Sequence, residues 1–206
     1  SIIFDAIPSL FLADEDVGRE DFRKYVTRYL LPHPGIQALG WLPKIPHEKR
    51  ESFESKLHEE GYDEFQILEV SKNRQVIPVE EKDVYYPLYL LEPFHEMDGF
   101  MGVDMTSYPV WSEAIQRSAI IGDAMGTTRN ILFQNSQNFQ TILLFLPVYP
   151  NGISPTTNDQ AEQFKLGYTI AVLNVKNMLN EFFQDALWSF SEEVNLELFD
   201  TTQVNE

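Results

Sequence analysis

Two apolar runs between Val84 and Met105 place the strongest constraint on what this chain can fold into. Val84, Tyr85, Tyr86, Leu88, Tyr89, Leu90 and Leu91 are β-branched, aromatic or aliphatic, and Glu92-Pro93 closes the run, a pattern that predicts a strand. The turn-forming pair Asp98-Gly99 then precedes a second apolar run, Phe100 to Val103, which predicts another strand ending in Asp104 and Met105. A helix is expected to open at Ser107-Tyr108-Pro109. A carboxylate at that place, Asp104, is either the cap of the coming helix or an anchor for a ligand.

The remainder of the chain can supply a core around this stretch. Of 206 residues, 43% are hydrophobic and 13% aromatic, enough for one larger or two small globular domains. Acidic side chains outnumber basic ones 32 to 15 and the formal net charge is -17, a field that repels phosphate backbones and anionic headgroups and argues against a nucleic-acid partner. The absence of Cys excludes disulfides and thiolate metal sites but leaves the compartment open. No charged-then-apolar leader opens the sequence, and the best apolar run, Thr141 to Tyr149, falls far short of the ~20 residues needed to span a bilayer, so a soluble piece is expected.

In chain order, Ser1 to Leu12 has near-helical apolar spacing broken at Pro8, and Arg19 to Leu31 places Phe22, Val26, Tyr29 and Leu30 on one helical face. Pro32 and Pro34-Gly35 stop that helix; a strand is predicted over Ile36 to Trp41, a surface helix from Pro46 to Gly61, a short strand over Phe65 to Val70, and polar linker over Ser71 to Asp83. Beyond the central stretch, Tyr108 to Ile121 predicts a helix capped by Gly122, while Thr127 to Phe133 and Gln140 to Tyr149 predict a hairpin. Tyr149 to Gln163, dense in Pro, Asn, Gly, Ser and Thr, is the best internal boundary. A strand over Leu166 to Leu173, a helix over Val175 to Phe190 and a last strand over Val194 to Phe199 complete an α+β chain with antiparallel sheets. The large apolar residues of Ser1 to Leu12 form a broad stripe expected to pack both on the C-terminal elements and on a second copy, which predicts a homodimer.

No catalytic set stands out. His33, His47, His58 and His95 are scattered without metal-ligand spacing, no Gly-rich phosphate loop or nucleophile elbow is present, and Asp14-Glu15-Asp16 and Glu80-Glu81 read as solvated surface. Neither a metal nor a cofactor is expected. Tyr85-Tyr86 and Trp41 read first as core residues and only secondarily as pocket wall.

A set of dispersed residues carries a family resemblance. Phe22 precedes the Pro32 to Gly35 loop; Ala38-Leu39-Gly40-Trp41-Leu42-Pro43 follows, then Arg50 with Phe53-Glu54, Gly61, Glu69, Tyr86-Pro87 and Glu92-Pro93. Gly102-Val103-Asp104-Met105, Ala119 to Gly122, Pro147-Val148-Tyr149 and Gly167 continue it. In this order and at these spacings the chain resembles, over nearly its whole length, the CHASE domain, the extracytoplasmic sensor module of bacterial membrane receptors and plant cytokinin-receptor kinases.

The resemblance implies N-terminal stalk helices (1–31), a membrane-distal PAS-like ligand-binding unit (32–155) and a membrane-proximal PAS-like unit (156–206), the last incomplete as it stands. It implies transmembrane helices on both sides, a periplasmic or extracellular location, and a cytoplasmic output domain such as a diguanylate cyclase, phosphodiesterase or histidine kinase. Asp104 matches the ligand-bonding Asp of the cytokinin receptors, and Thr127 matches a Thr that matters there. Phe145 stands where those receptors carry a Thr, so a hydroxylated cytokinin side chain would lose a partner and meet a ring. Tyr86, Trp41 and Leu132 complete the expected ligand wall around Asp104, Thr127 and Phe145. The expected function is non-enzymatic sensing of a small molecule; the alternative is a protein-interaction or dimerisation module whose pocket is filled by its own side chains.

Overall fold

The computed structural model describes residues 7–11, 17–93, 98–127, 141–150, 153 and 155–180. Its organising element is a five-stranded antiparallel sheet of β1 (Ile36–Pro43), β6 (Leu90–Glu92), β7 (Met125–Gly126), β8 (Thr141–Val148) and β9 (Gly167–Asn174), in the order β6-β1-β9-β8-β7. Between β1 and β6 in sequence lie two small antiparallel pairs. One joins β2 (Ile45–Pro46) to β5 (Val84–Tyr85), the other β3 (Leu68–Val70) to β4 (Val76–Pro78).

Helices cover both faces. One face, with Ala38, Leu42, Phe145, Tyr168, Ile170 and Val172, packs against Trp111, Ala114 and Ile115 of α3 (Pro109–Ile121). The other, with Leu39, Trp41, Val148, Ala171 and Leu173, takes the helical residues 7–11 and α1 (Arg19–Leu30). The central strand β9 therefore buries all eight of its residues, which is why its sequence reads as a continuous apolar run instead of an alternating one. α2 (Arg50–Glu59) lies outside with only Leu57 fully buried, and α4 (Asn158–Phe164) connects β8 to β9.

The described part of the expected N-terminal stripe, residues 7–11, does pack: Ile7 and Phe11 are buried, and Phe11 stacks on Trp41 with ring centroids 4.1 Å apart and planes 15° from parallel. Offset aromatic pairs of this kind add about 0.5–1.5 kcal/mol beyond their burial. Its support includes Leu166, Ala171 and Leu173 as expected, together with β1 and β8.

Four expectations are corrected. The run from Val84 to Leu91 is two strands in two different sheets. Pro87, which has no N–H for a ladder, sits between β5 and β6, and the chain changes partners from β2 to β1 across it. Phe100 to Val103 is not a strand: Asp98–Phe100 is a 3₁₀ turn, and Gly102, at φ 78°, bends the chain where a Cβ would overlap the Gln66 carbonyl oxygen. Ser71 to Asp83 is not linker throughout, because it holds β4, whose residues are all exposed and so leave no alternation to read. The strand expected over Phe65 to Val70 forms only at Leu68–Val70.

The segment Tyr149 to Gln163 contains α4 and joins two strands that pair from Val148 opposite Gly167 to Thr141 opposite Asn174. α3 begins and ends close to expectation, with Gly122 at φ 73° as its left-handed C-cap. The first strand of the predicted hairpin begins at Met125; its residues 128–133 lie outside the described residues, as do most of the helix expected to Phe190 and the strand over Val194 to Phe199.

Candidate functional site

Asp104 lies where three chain segments meet. Its N–H donates to the Leu68 carbonyl, Val103 accepts from the Leu88 N–H, and Met105 donates to Tyr86, so the backbone on both sides of the carboxylate is fixed. The carboxylate is fully buried. Oδ1 accepts from the Thr106 N–H (2.9 Å), the Thr106 hydroxyl (2.8 Å) and the Tyr86 N–H (3.3 Å), and Oδ2 is ion-paired with Lys82 Nζ. Lys82 also donates to Thr106 Oγ1 at 2.8 Å, which closes a ring of polar contacts around the acid. Asp104 is not the cap of α3, whose N-cap position is Tyr108 with no side-chain acceptor. The i to i+2 bond to Thr106 is the local Asx-type contact that Asp makes readily outside helices. Lys82 gave no signal in the sequence, since a lysine after two glutamates reads as surface.

Tyr86 connects this acid to a second polar cluster. Its ring meets Tyr168 edge-on at 5.1 Å, and the Lys165 ammonium sits 5.3 Å from the Tyr86 ring centroid and 4.7 Å from that of Tyr168. Lys165 Nζ donates to the Tyr168 hydroxyl (2.7 Å) and to Glu162 Oε1 (2.5 Å), while Tyr86 Oη lies 3.5 Å from Glu162 Oε2. The Lys165 side chain is 1% exposed and that of Glu162 is 60% exposed. Burial pulls the Lys165 pKa down, only partly opposed by Glu162. Burial first, and the Glu162 charge second or after the neighbouring tyrosine, pushes the Tyr86 and Tyr168 hydroxyls far above the ordinary phenol range. Tyr149 is raised by the same two causes, burial and Glu162. It also lines a cleft of about 100 Å³ between the end of α3 and the start of α4, with Ile121, Gly122, Pro155, Thr157 and Ala161. Among the described residues no group of three or more His, Asp or Glu is placed to hold a metal ion.

The geometry is thus a buried ionisable cluster at the margin of an apolar core, with no nucleophile or metal set in it among the described residues. The family model for the CHASE domain matches residues 15–206. The chain belongs to the CHASE-domain family. CHASE domains are sensor domains of signalling receptors, without catalytic activity of their own. This CHASE domain is also 26% identical over 159 residues to a germination-specific adenylate cyclase of Dictyostelium discoideum, a match covering 77% of this chain and 18% of that protein. Among the described residues no helix is long and apolar enough to cross a membrane.

Within the CHASE domain, the residues singled out from sequence fall into separate places. Tyr86 and Asp104 are in contact, and Phe145, fully buried, belongs to the same apolar cluster as Tyr86. Thr127 is buried at the start of the β7–β8 pairing, where its N–H donates to Leu143 and its hydroxyl accepts from the Leu143 N–H at 3.1 Å. Trp41 points into the opposite face, against Phe11, so the sheet separates it from the others. Leu132 lies outside the described residues. Lys165, Glu162 and Tyr168 were not legible as a site, because i, i+3 Glu–Lys is an ordinary surface pattern and Tyr168 an ordinary strand residue.

Proposed function

We propose that this CHASE domain is the extracytoplasmic, periplasmic sensor module of a transmembrane receptor, and that a small molecule binds it beside Asp104 and Tyr86. The observation that carries this reading is the buried cluster of Asp104, Lys82, Tyr86, Tyr168 and Lys165 at the edge of the core. Taking such charges out of water is costly, and groups held this way concentrate at functional sites. Thr127 and Phe145 supply further wall on this reading. The sheet order supports a PAS-like unit: counted among themselves, its strands run 2-1-5-4-3. That unit extends through β9, so a second, membrane-proximal PAS-like unit would begin after Asn174 and not after residue 155.

The catalytic output lies elsewhere in the receptor, as a nucleotide cyclase, diguanylate cyclase, phosphodiesterase or histidine kinase; the adenylate cyclase relative supports a nucleotide cyclase among these. Ligand binding biases a homodimer between two arrangements and moves the N-terminal helices, which requires different affinity for the two states. Native mass spectrometry of the purified chain tests the binding step. A copurified small molecule, retained by the wild type and lost from Asp104→Asn, is the expected result; a bare chain whose melting point no small molecule raises overturns it. The second reading, an interaction or dimerisation module, is favoured by the filling of the sheet face at Phe145 by Leu143, Trp111 and Ile115.

A further inference from the structure

The Lys165 cluster pairs a buried ammonium with a carboxylate that stands mostly in water. Lys165 is the buried charge, yet among the described residues the groups that solvate it are side chains: the Tyr168 hydroxyl, the faces of Tyr86 and Tyr168, and one oxygen of Glu162. Glu162 is mostly in water and stands on α4, a seven-residue helix following a turn-rich connection. A second ammonium is close by, since Lys44 Nζ donates to the backbone carbonyl of Glu162 and not to its carboxylate. Lys165 and the Tyr86 hydroxyl thus meet the Glu162 carboxylate, while Lys44 holds the Glu162 backbone carbonyl and the Tyr168 hydroxyl accepts from Lys165, in a chain that is otherwise strongly acidic. Beside them, through Tyr149, opens the cleft of about 100 Å³. The cleft has room for a small organic group, and Ala161, next in the chain to Glu162, is part of its wall.

We propose that Glu162 stands in for the carboxylate of a small organic acid, and that such an acid binds by displacing Glu162 from Lys165 and Tyr86. This rests on the sensor reading and specifies its ligand class. In the bound state one carboxylate oxygen accepts from Lys165 Nζ and Tyr168 Oη, the other accepts from Tyr86 Oη, and the short carbon chain lies toward Tyr149. Glu162 swings into solvent, where it is already largely exposed, and α4 moves with it. The depressed pKa of Lys165 supports the same view, because one half-solvated carboxylate does not offset the burial of that ammonium.

The experiment titrates the full chain with sodium acetate, propionate and pyruvate, against sodium chloride and acetamide at matched ionic strength, by calorimetry and thermal shift. Saturable one-to-one binding of at least one carboxylate is expected. Glu162→Gln removes the internal competitor and should tighten that binding about tenfold, as befits one charge-assisted contact. Lys165→Met should abolish it while the circular dichroism spectrum is kept; if that variant does not fold, Lys165→Gln and the Glu162→Gln arm carry the decision. No saturable binding by wild type and Glu162→Gln, or binding that both substitutions leave unchanged, overturns the proposal. A copurified neutral molecule that is lost in Asp104→Asn but indifferent to Lys165→Met would overturn it too, while leaving the sensor reading in place.

Discussion

The two lysine–carboxylate pairs flanking Tyr86 are built as opposites. In one the acid is inside: Asp104 is fully buried and its Lys82 partner is 34% exposed. In the other the base is inside: Lys165 is 1% exposed and its Glu162 partner 60%. The difference extends to what solvates the buried charge. Asp104 receives two backbone N–H groups whose positions are set by neighbouring chain segments, whereas Lys165 is served, among the described residues, by side chains. A buried charge held by backbone dipoles is fixed with the fold, and one held by side chains can change partners at the cost of a few rotamers. The comparison separates a charge fixed by backbone groups from one held by side chains.

The largest test of that contrast is Asp104→Ala. It leaves Lys82, two backbone N–H groups and the Thr106 hydroxyl without their common acceptor, and a loss of about 3–5 kcal/mol in urea unfolding is expected. A loss below about 1 kcal/mol would show that Asp104 is no anchor.

Next in size is alkaline pH. Tyr86 and Tyr168 hold their protons in the folded state well above the ordinary value of 10.0. The unfolded chain then ionises first, the native state binds more protons, and stability falls as pH rises above 10, by up to about 1.4 kcal/mol per pH unit for each tyrosine. Lys165 acts the other way: its folded pKa is depressed, so between that value and 10.5 the unfolded chain binds more protons and stability rises with pH. Melting curves from about pH 8 to about 11.5 should show a rise followed by a fall, and Lys165→Met should remove the rise and keep the fall. A rise that persists in Lys165→Met would mean that the buried ammonium is not its source.

The same contrast explains how much could be read from the sequence. Elements with one buried face were legible, α1 with Phe22 and Val26 and α3 with its Gly122 cap, and β1, buried on both faces, was legible as an apolar run between Pro34-Gly35 and Pro43. β8 and β9 were legible as apolar runs, but their adjacency was not, because the turn-rich connection between them has the composition of a domain boundary. Val84 to Leu91 failed because burial on all sides erases periodicity, and only Pro87 marks the change of partner. For the site, Asp104 stood out by its place after an apolar run, and Tyr86 came with it. Lys82, Glu162 and Lys165 did not, since a buried ion pair and a solvated one have the same sequence and differ only in what tertiary packing removes from water.

Two smaller substitutions measure the asymmetry from its exposed ends. Lys82→Met removes the half-exposed partner of the anchored acid. Asp104 keeps its three donors on Oδ1, so a loss of roughly 1–2 kcal/mol is expected, smaller than for Asp104→Ala because solvent already screens Lys82. Glu162→Gln removes the exposed partner of the buried base, and here the expected change is the smallest, within about 1 kcal/mol in either direction. The carbonyl oxygen of the introduced amide can still accept from Lys165, the Tyr168 hydroxyl and both ring faces remain in place, and a carboxylate that is mostly hydrated gives up little when it loses its charge. Urea unfolding of wild type and variant at neutral pH and low salt is sufficient to measure it. A loss above about 3 kcal/mol would place Glu162 on the same footing as Asp104: the Lys165 pair would then be a second anchor, its carboxylate would not be exchangeable, and α4 would have no freedom to yield to a ligand.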